Sequence, residues 1–97
     1  MTPTATSVTL DSTATIPADV LVQDVGGETV LLDMAGEQYF GLDPVGTRIW
    51  QLIGELGRLR DVHQRLCTEF DADGERIADD LLALARSLAD AGLVRIA

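Results

Sequence analysis

Residues 20–53 read "VLVQDVGGETVLLDMAGEQYFGLDPVGTRIWQLI", and their pattern decides the fold. Two apolar strings flank Gly26 and Gly27. A Gly-Gly pair supplies the positive φ angles of a two-residue hairpin turn. Centring the turn there pairs Val22 with Leu31 and Leu21 with Leu32. In the next connection, "DMAGE", Asp33 stands at the first turn position and Gly36 where a left-handed residue is needed. Those residues predict a type I turn followed by a glycine bulge. That turn places Val30 opposite Phe40 and Leu31 opposite Tyr39. Strand side chains alternate between faces, so Leu21, Val30, Leu32, Phe40 and Leu42 are expected on one side, and Val22, Leu31 and Tyr39 on the other. The first face suits a covering of helices. The second is left for the N-terminal segment or a partner.

Downstream, Asp43 is a helix cap and Pro44 takes the first helical position, where its missing N–H is not needed. Val45, Ile49, Leu52, Ile53 and Leu56 recur at helical spacing, with Trp50 beside them, until Gly57. A second helix from about Leu59 to Phe70 buries Leu59, Val62, Leu66 and Phe70. After "DADGE", a third runs from about Gly74 to Ala91 on a stripe of Ile77, Leu81, Leu84 and Leu88. Gly92 ends it and "LVRI" returns as an extended tail. The fold class is therefore α+β and winged-helix-like: a three-stranded antiparallel sheet followed by a three-helix bundle. Upstream, residues 1–18 are rich in Thr, Ser, Ala and Pro and read as a flexible N-terminal segment, with the domain at 19–97. The alternation in "SVTL" and Ile16 leaves open an extended segment laid against that domain.

The chain has 97 residues, 46% of them hydrophobic, which fits a single domain with its own core. One cysteine, Cys67, cannot make an internal disulfide, and no signal-like or membrane-spanning stretch is visible, so a cytoplasmic protein is expected. The net charge is −9, from 16 acidic residues against 7 Arg and no Lys. That field repels phosphate backbones and anionic membranes, so neither nucleic acid nor membrane is expected as a partner. Winged-helix content raises DNA binding as a rival. The third helix, however, carries Glu75, Asp79, Asp80 and Asp90 against Arg76 and Arg86, the wrong sign for a recognition helix.

Catalytic patterns are missing from the sequence. His63 and Cys67, four residues apart, share a helical face, but two ligands do not complete a zinc site and no third group orients a nucleophile and base. "DADGE" at 71–75 opens like a calcium loop, yet its Gly comes too early and the twelfth position from Asp71 is Leu82. No phosphate loop or dinucleotide fingerprint is present. No cofactor and no metal are expected. What remains is a binding surface: Gln38 to Leu42 contains neither Pro nor charge, so as a sheet edge it is poorly defended and can accept an extended peptide. A structural subunit pairing through that edge with another protein is the alternative.

The residues "VLLDMAGEQYFGLDPVGTRIWQLI", followed by two helices and "LADAGLVRI", resemble the PqqD-like family, the leader-peptide recognition elements of ribosomally made, modified peptides. The resemblance spans about residues 18–97 and is most specific at the aromatic pair, Leu42, Gly46 and Ile49-Trp50; Asp43 departs from the more common Asn. It is nearest to the standalone leader-binding proteins of lasso peptide pathways, which work beside a cysteine protease and a cyclase. The family's fold agrees with the one derived above. The resemblance implies a non-catalytic adaptor that binds a precursor's leader as a strand antiparallel to the third strand, in a cleft against the third helix, and presents it to a leader protease or other modifying enzyme. Carried onto this sequence, it implies peptide contacts from Glu37, Gln38, Tyr39, Phe40 and Gly41 of the strand and from Arg76, Asp79, Leu82, Ala83 and Arg86 of the helix. Tyr39, with Phe40 at the rim, would border the cleft, and Leu82 would line an apolar pocket. Ala83 would leave room for the peptide, while Asp79 would meet a basic leader residue and Arg86 an acidic one.

Overall fold

The computed structural model describes residues 8–26, 28–34 and 38–97. Its elements are β1 (Ala14–Thr15), β2 (Val20–Val25), β3 (Glu28–Asp33), β4 (Gln38–Leu42), α1 (Pro44–Leu56), α2 (Leu59–Glu69), α3 (Gly74–Asp90) and β5 (Arg95–Ile96). β2, β3 and β4 form an antiparallel sheet in that order, and β1 pairs with β5. The predicted three strands followed by three helices are present. Among the described residues no helix is long and apolar enough to cross a membrane.

The first hairpin has the expected register, Val22 opposite Leu31 and Leu21 opposite Leu32. Gly26 has φ 60°, the left-handed conformation that a two-residue hairpin turn asks of its first position; Gly27 lies outside the described residues. The second hairpin differs from the expectation by one residue. Leu31 faces Phe40 and Leu32 faces Tyr39, closing on Asp33 opposite Gln38. Four positions, 34–37, separate that last pair, where the glycine-bulge turn allowed three; 35–37, including Gly36, lie outside the described residues.

That single slip changes which side chains share a face, as the period-2 geometry of a strand requires. Val20, Leu31, Phe40 and Leu42 turn inward, and Val20, Leu31 and Leu42 are buried in a cluster with Trp50, Leu88, Leu93 and Val94. Leu21, Val30, Leu32 and Tyr39 turn outward. Leu31 is therefore in the core and not on the second face, while Val30 and Leu32 stay half-buried on the outer one. Burying a leucine completely is worth about 1.5–3 kcal/mol, so the register that hides Leu31 is strongly preferred over the one that exposes it.

The helices form a second cluster through Ile49, Leu52 and Ile53 of α1, Leu59, Val62 and Leu66 of α2, and Leu81 and Ala85 of α3. Asp43 caps α1, its Oδ1 accepting from the N–H of Gly46 at 2.6 Å, which stabilises the helix start by about 1 kcal/mol. Gly46 is buried there: a Cβ would meet Asp43 Oδ1 at 3.1 Å and Leu42 Cδ2 at 3.3 Å. This close approach brings the first turn of α1 against the end of β4. Arg48 ties α1 to α2, its Nε and Nη2 donating to the two Glu69 carboxylate oxygens at 2.7 and 2.6 Å.

Residues 8–16 are built into the structure, where composition predicted a flexible lead-in. Val8 and Ala14 are buried in the helical cluster, with Leu10 and Ile16 packed against it. Backbone bonds secure the path. The Thr13 N–H donates to Ala97 O, the Ala14 N–H to Gly57 O, and the Leu59 N–H to Ser12 O, at 3.0, 2.8 and 3.0 Å. Arg60 pairs with Asp11. Backbone pairing of this kind depends little on side-chain type, which is why a Thr- and Ala-rich segment can be ordered without a strong apolar pattern.

Candidate functional site

The parity of the sheet's hydrogen bonds follows from its turn. A two-residue hairpin closes on a pair that exchanges both backbone bonds, here Val25 and Glu28, and bonded pairs then alternate along the ladder. Gln23 with Val30 and Leu21 with Leu32 continue the series. So does the Met34 N–H, which donates to Asp19 O at 3.1 Å. Thr29, Leu31 and Asp33 consequently bond the other way, toward Leu42, Phe40 and Gln38. Tyr39 and Gly41 are left with their N–H and C=O groups directed away from β3, at the open edge of the sheet.

Beside that edge lies a cavity of about 530 Å³, with Phe40, Gly41 and Leu42 on one side and Asp80, Ala83 and Leu84 of α3 on the other. A smaller one of about 130 Å³ continues from it between α1, α2 and α3, lined by Leu66, Phe70 and Ile77 with Arg76 alongside. Val45, Ile49 and Asp80 belong to both cavities. Together they make one groove that follows β4, passes the start of α1 and ends over an apolar floor.

The predicted contacts divide over this geometry. Phe40, Gly41 and Ala83 line the larger cavity and Arg76 the smaller. Gln38 lies on β4 but lines neither. Tyr39, 77% exposed, is on the opposite face of the strand from Phe40, as strand alternation requires in either register, so its side chain turns away from the cleft that the resemblance implied it would border. Asp79 and Arg86 are exposed and Leu82 is half-buried against the helical core, and none of the three lines either cavity. Glu37 lies outside the described residues. The groove-facing row of α3 is 76, 80, 83 and 84, whereas 79, 82 and 86 form the adjoining row, about 100° round the helix. Asp80 and Leu84, with Val45 and Ile49 of α1, were missed as site residues. The spacing of Asp80 from Arg76 and Ala83, four and three residues, was a signal that could have found it.

The groove has little buried charge. Asp43 directs its Oδ1 to the α1 cap, and Asp80 has no ion-pair or hydrogen-bond partner among the described residues. Behind the groove, hydrogen bonding to Arg48 holds the Glu69 carboxyl below its ordinary value, and the same bond raises Arg48. His63 and Cys67 sit away from it. His63 Nε2 lies 2.8 Å from the carbonyl oxygen of Gly74, which can only accept, so Nε2 carries the proton and is the donor. With Nε2 so engaged, it does not take a proton from the Cys67 thiol 3.5 Å away. The arrangement fastens α2 to the start of α3 and offers no activated nucleophile. The groove's own equipment is four edge-facing backbone groups and an apolar trough, which suits an extended peptide.

Solved structures share this fold. Among solved structures, TbiB1 in complex with the TbiA(beta) leader peptide is 34% identical, with a TM-score of 0.76 over 84% of this chain and 94% of that one. A lasso peptide synthetase B1 complexed with the leader peptide shares the fold at 24% identity, with a TM-score of 0.75 over 84% of this chain and 96% of that one. No curated protein matches. The family described as Coenzyme PQQ synthesis protein D (PqqD) matches residues 28–94. That match runs unbroken from β3 through the edge strand and all three helices, and on it the chain belongs to the PqqD family.

Proposed function

We propose that this protein is a non-catalytic adaptor of a lasso peptide pathway, which binds the leader of a precursor peptide as an added strand on β4 and presents it to a leader protease or other modifying enzyme. The observation that carries the reading is the open edge of Tyr39 and Gly41 beside a groove walled by Asp80, Ala83 and Leu84. The TbiB1 structure, similar over most of both chains and holding a leader peptide, supports it. A leader running antiparallel to β4 exchanges bonds with Tyr39 and Gly41. The leader residue opposite Phe40 then points inward to the cavity, and its neighbours point outward beside Tyr39. Its N-terminal portion, beyond Leu42, reaches the smaller cavity.

The seated leader leaves the outer face free. Leu21, Leu32 and Tyr39 stand directly opposite one another across the three strands, with Leu21 47% and Tyr39 77% exposed. This row is the surface offered to the enzyme that acts on the presented precursor, a cysteine protease in the lasso case. Isothermal calorimetry with a synthetic leader from the precursor encoded beside this protein tests the reading. Binding at micromolar or tighter affinity is expected, and no heat with that leader overturns it. Tyr39→Ser is expected to leave leader affinity within about twofold, since the side chain faces away from the groove, while weakening co-elution of the leader-bound protein with its protease.

A further inference from the structure

Asp80 has a position that leader binding alone does not explain. It is an exposed carboxylate on α3, it stands where the two cavities of the groove meet, and it has no ionic or hydrogen-bonding partner among the described residues. Arg76, one turn nearer the start of α3, lines the smaller cavity only and makes no ion pair with Asp80 within 4.0 Å among the described residues. The two side chains thus mark successive points on one wall, positive over the apolar floor and negative at the junction. Everything else along that stretch of groove is apolar: Val45, Ile49, Phe70 and Ile77.

Four residues of helix advance about 6 Å, and two residues of an extended strand advance about 6.6 Å. Leader residues two apart lie on the same face of their strand, so one can meet Arg76 and the next on that face can meet Asp80. A leader antiparallel to β4 travels from the smaller cavity toward Phe40, which is also the direction from Arg76 to Asp80 along α3. We propose that Asp80 selects a leader with a Lys or Arg side chain at the residue that crosses from the smaller cavity into the strand-paired segment, and that Arg76 favours a carboxylate two residues toward the leader's N-terminus. The proposal rests on the leader-binding reading above. A carboxylate opposite Asp80 is disfavoured, the more so in a protein of net charge −9. The two charges therefore fix the register of a strand whose backbone bonds would tolerate slippage by two residues.

The test is a calorimetric cycle on the full chain with the synthetic leader of its own precursor and variants in which each Lys and Arg is replaced singly by Gln. One of those replacements is expected to weaken binding about fivefold, the size of a well-placed exposed ion pair. Asp80→Asn is expected to weaken the unmodified leader by the same factor and to leave that Gln variant unaffected. Asp80→Arg, in turn, is expected to bind a leader carrying Glu at that residue better than the native leader. Thermal melts of the variants show whether the fold is kept, and the swap separates a charge contact from loss of structure. A leader with no Lys or Arg, or an Asp80→Asn protein that binds as tightly as the native one, overturns the assignment while leaving leader binding intact. Absence of binding by the native protein overturns the leader reading itself, and this assignment with it.

Discussion

Among the described residues the sheet has two open edges, and only one of them is proposed as a site. β2 presents Val22 and Asp24 outward by the same hydrogen-bond parity that presents Tyr39 and Gly41 on β4, so the two edges offer comparable backbone groups. Their surroundings differ. Of β2, only Val20 is buried, and Val22 is 52% exposed even though it points to the inner face. β4 has α3 beside it and the first turn of α1 at its end, and the space between them is the groove. β2 also carries Asp24, a charge that discourages strand addition, whereas Gln38 to Leu42 has none. An edge becomes a receptor when a second element supplies a wall at side-chain distance; unpaired backbone alone gives only an aggregation-prone rim.

Breaking what both edges share has the largest effect. Leu31 is fully buried in the central strand, and Leu31→Ala is expected to destabilise the domain by about 2–5 kcal/mol, read as a lower urea midpoint, with leader binding lost in proportion to unfolding. Breaking the wall alone is more selective. Ala83 is exposed and lines the larger cavity, so Ala83→Trp fills the groove while stability changes by no more than about 0.5 kcal/mol. Leader affinity is expected to fall at least tenfold, and Val22→Trp on the other edge is expected to leave it unchanged. Equal losses from both would mean that the wall is not what distinguishes the edges.

A finer cut removes one backbone donor. Gly41 has open space where a Cβ would stand, with nothing within 4 Å, and its N–H faces away from β3. Gly41→Pro therefore deletes a leader-facing donor without touching the ladder, and proline is tolerated on such an edge. Affinity is expected to drop about fivefold, the worth of one backbone hydrogen bond of about 1 kcal/mol, with little change in melting temperature. Phe40→Pro, one residue away, deletes a ladder bond and is expected to destabilise the fold. If Gly41→Pro unfolds the protein and Phe40→Pro does not, the parity is reversed.

The helices and the first hairpin were legible because their signals are local: Gly26 in its turn, Asp43-Pro44 at a helix start, and apolar stripes at 3.6-residue spacing. The second hairpin was not. "DMAGE" fits a three-residue or a four-residue connection, and the choice is made by a distant gain, the complete burial of Leu31 against Trp50 and Leu88. The faces of Tyr39 and Phe40 do not depend on that choice, because alternation sets them opposite each other in either register; the expected place of Tyr39 at the cleft came from the resemblance and not from the hairpin. On α3 the core stripe was readable and the groove-facing row only in part, because a stripe does not say how far round the helix the neighbouring element reaches. Arg76 and Ala83, both named from the sequence, line the groove together with Asp80, which was not named, while 79, 82 and 86 line neither cavity. The order in residues 8–16 was hinted at only by the alternation in "SVTL" and by Ile16, because much of it is held by backbone bonds to Gly57, Leu59 and Ala97, which composition does not announce.

The smallest expected effect concerns the support behind the groove. α1 lines both cavities through Val45 and Ile49, and Arg48 on the same helix is held to α2 by Glu69 at 2.6 Å. Hydrogen bonding to Arg48 lowers the Glu69 pKa in the folded state from its ordinary 4.5. A carboxyl whose folded pKa is depressed stabilises the fold fully above its unfolded pKa, and that stabilisation is lost as pH falls through the folded value. Stability is therefore expected to decline on acidification below about pH 4.5. Glu69→Gln, which cannot ionise, is expected to flatten that acid limb while shifting the urea midpoint only slightly at neutral pH, because partly exposed pairs contribute little. Leader affinity at neutral pH is expected to stay near native, since neither Arg48 nor Glu69 lines the groove. A Glu69→Gln protein whose acid limb keeps its native slope would assign the pH dependence to other carboxylates. A loss of leader binding in a folded Glu69→Gln protein would instead show that the wall depends on the α1–α2 tie as well as on α3.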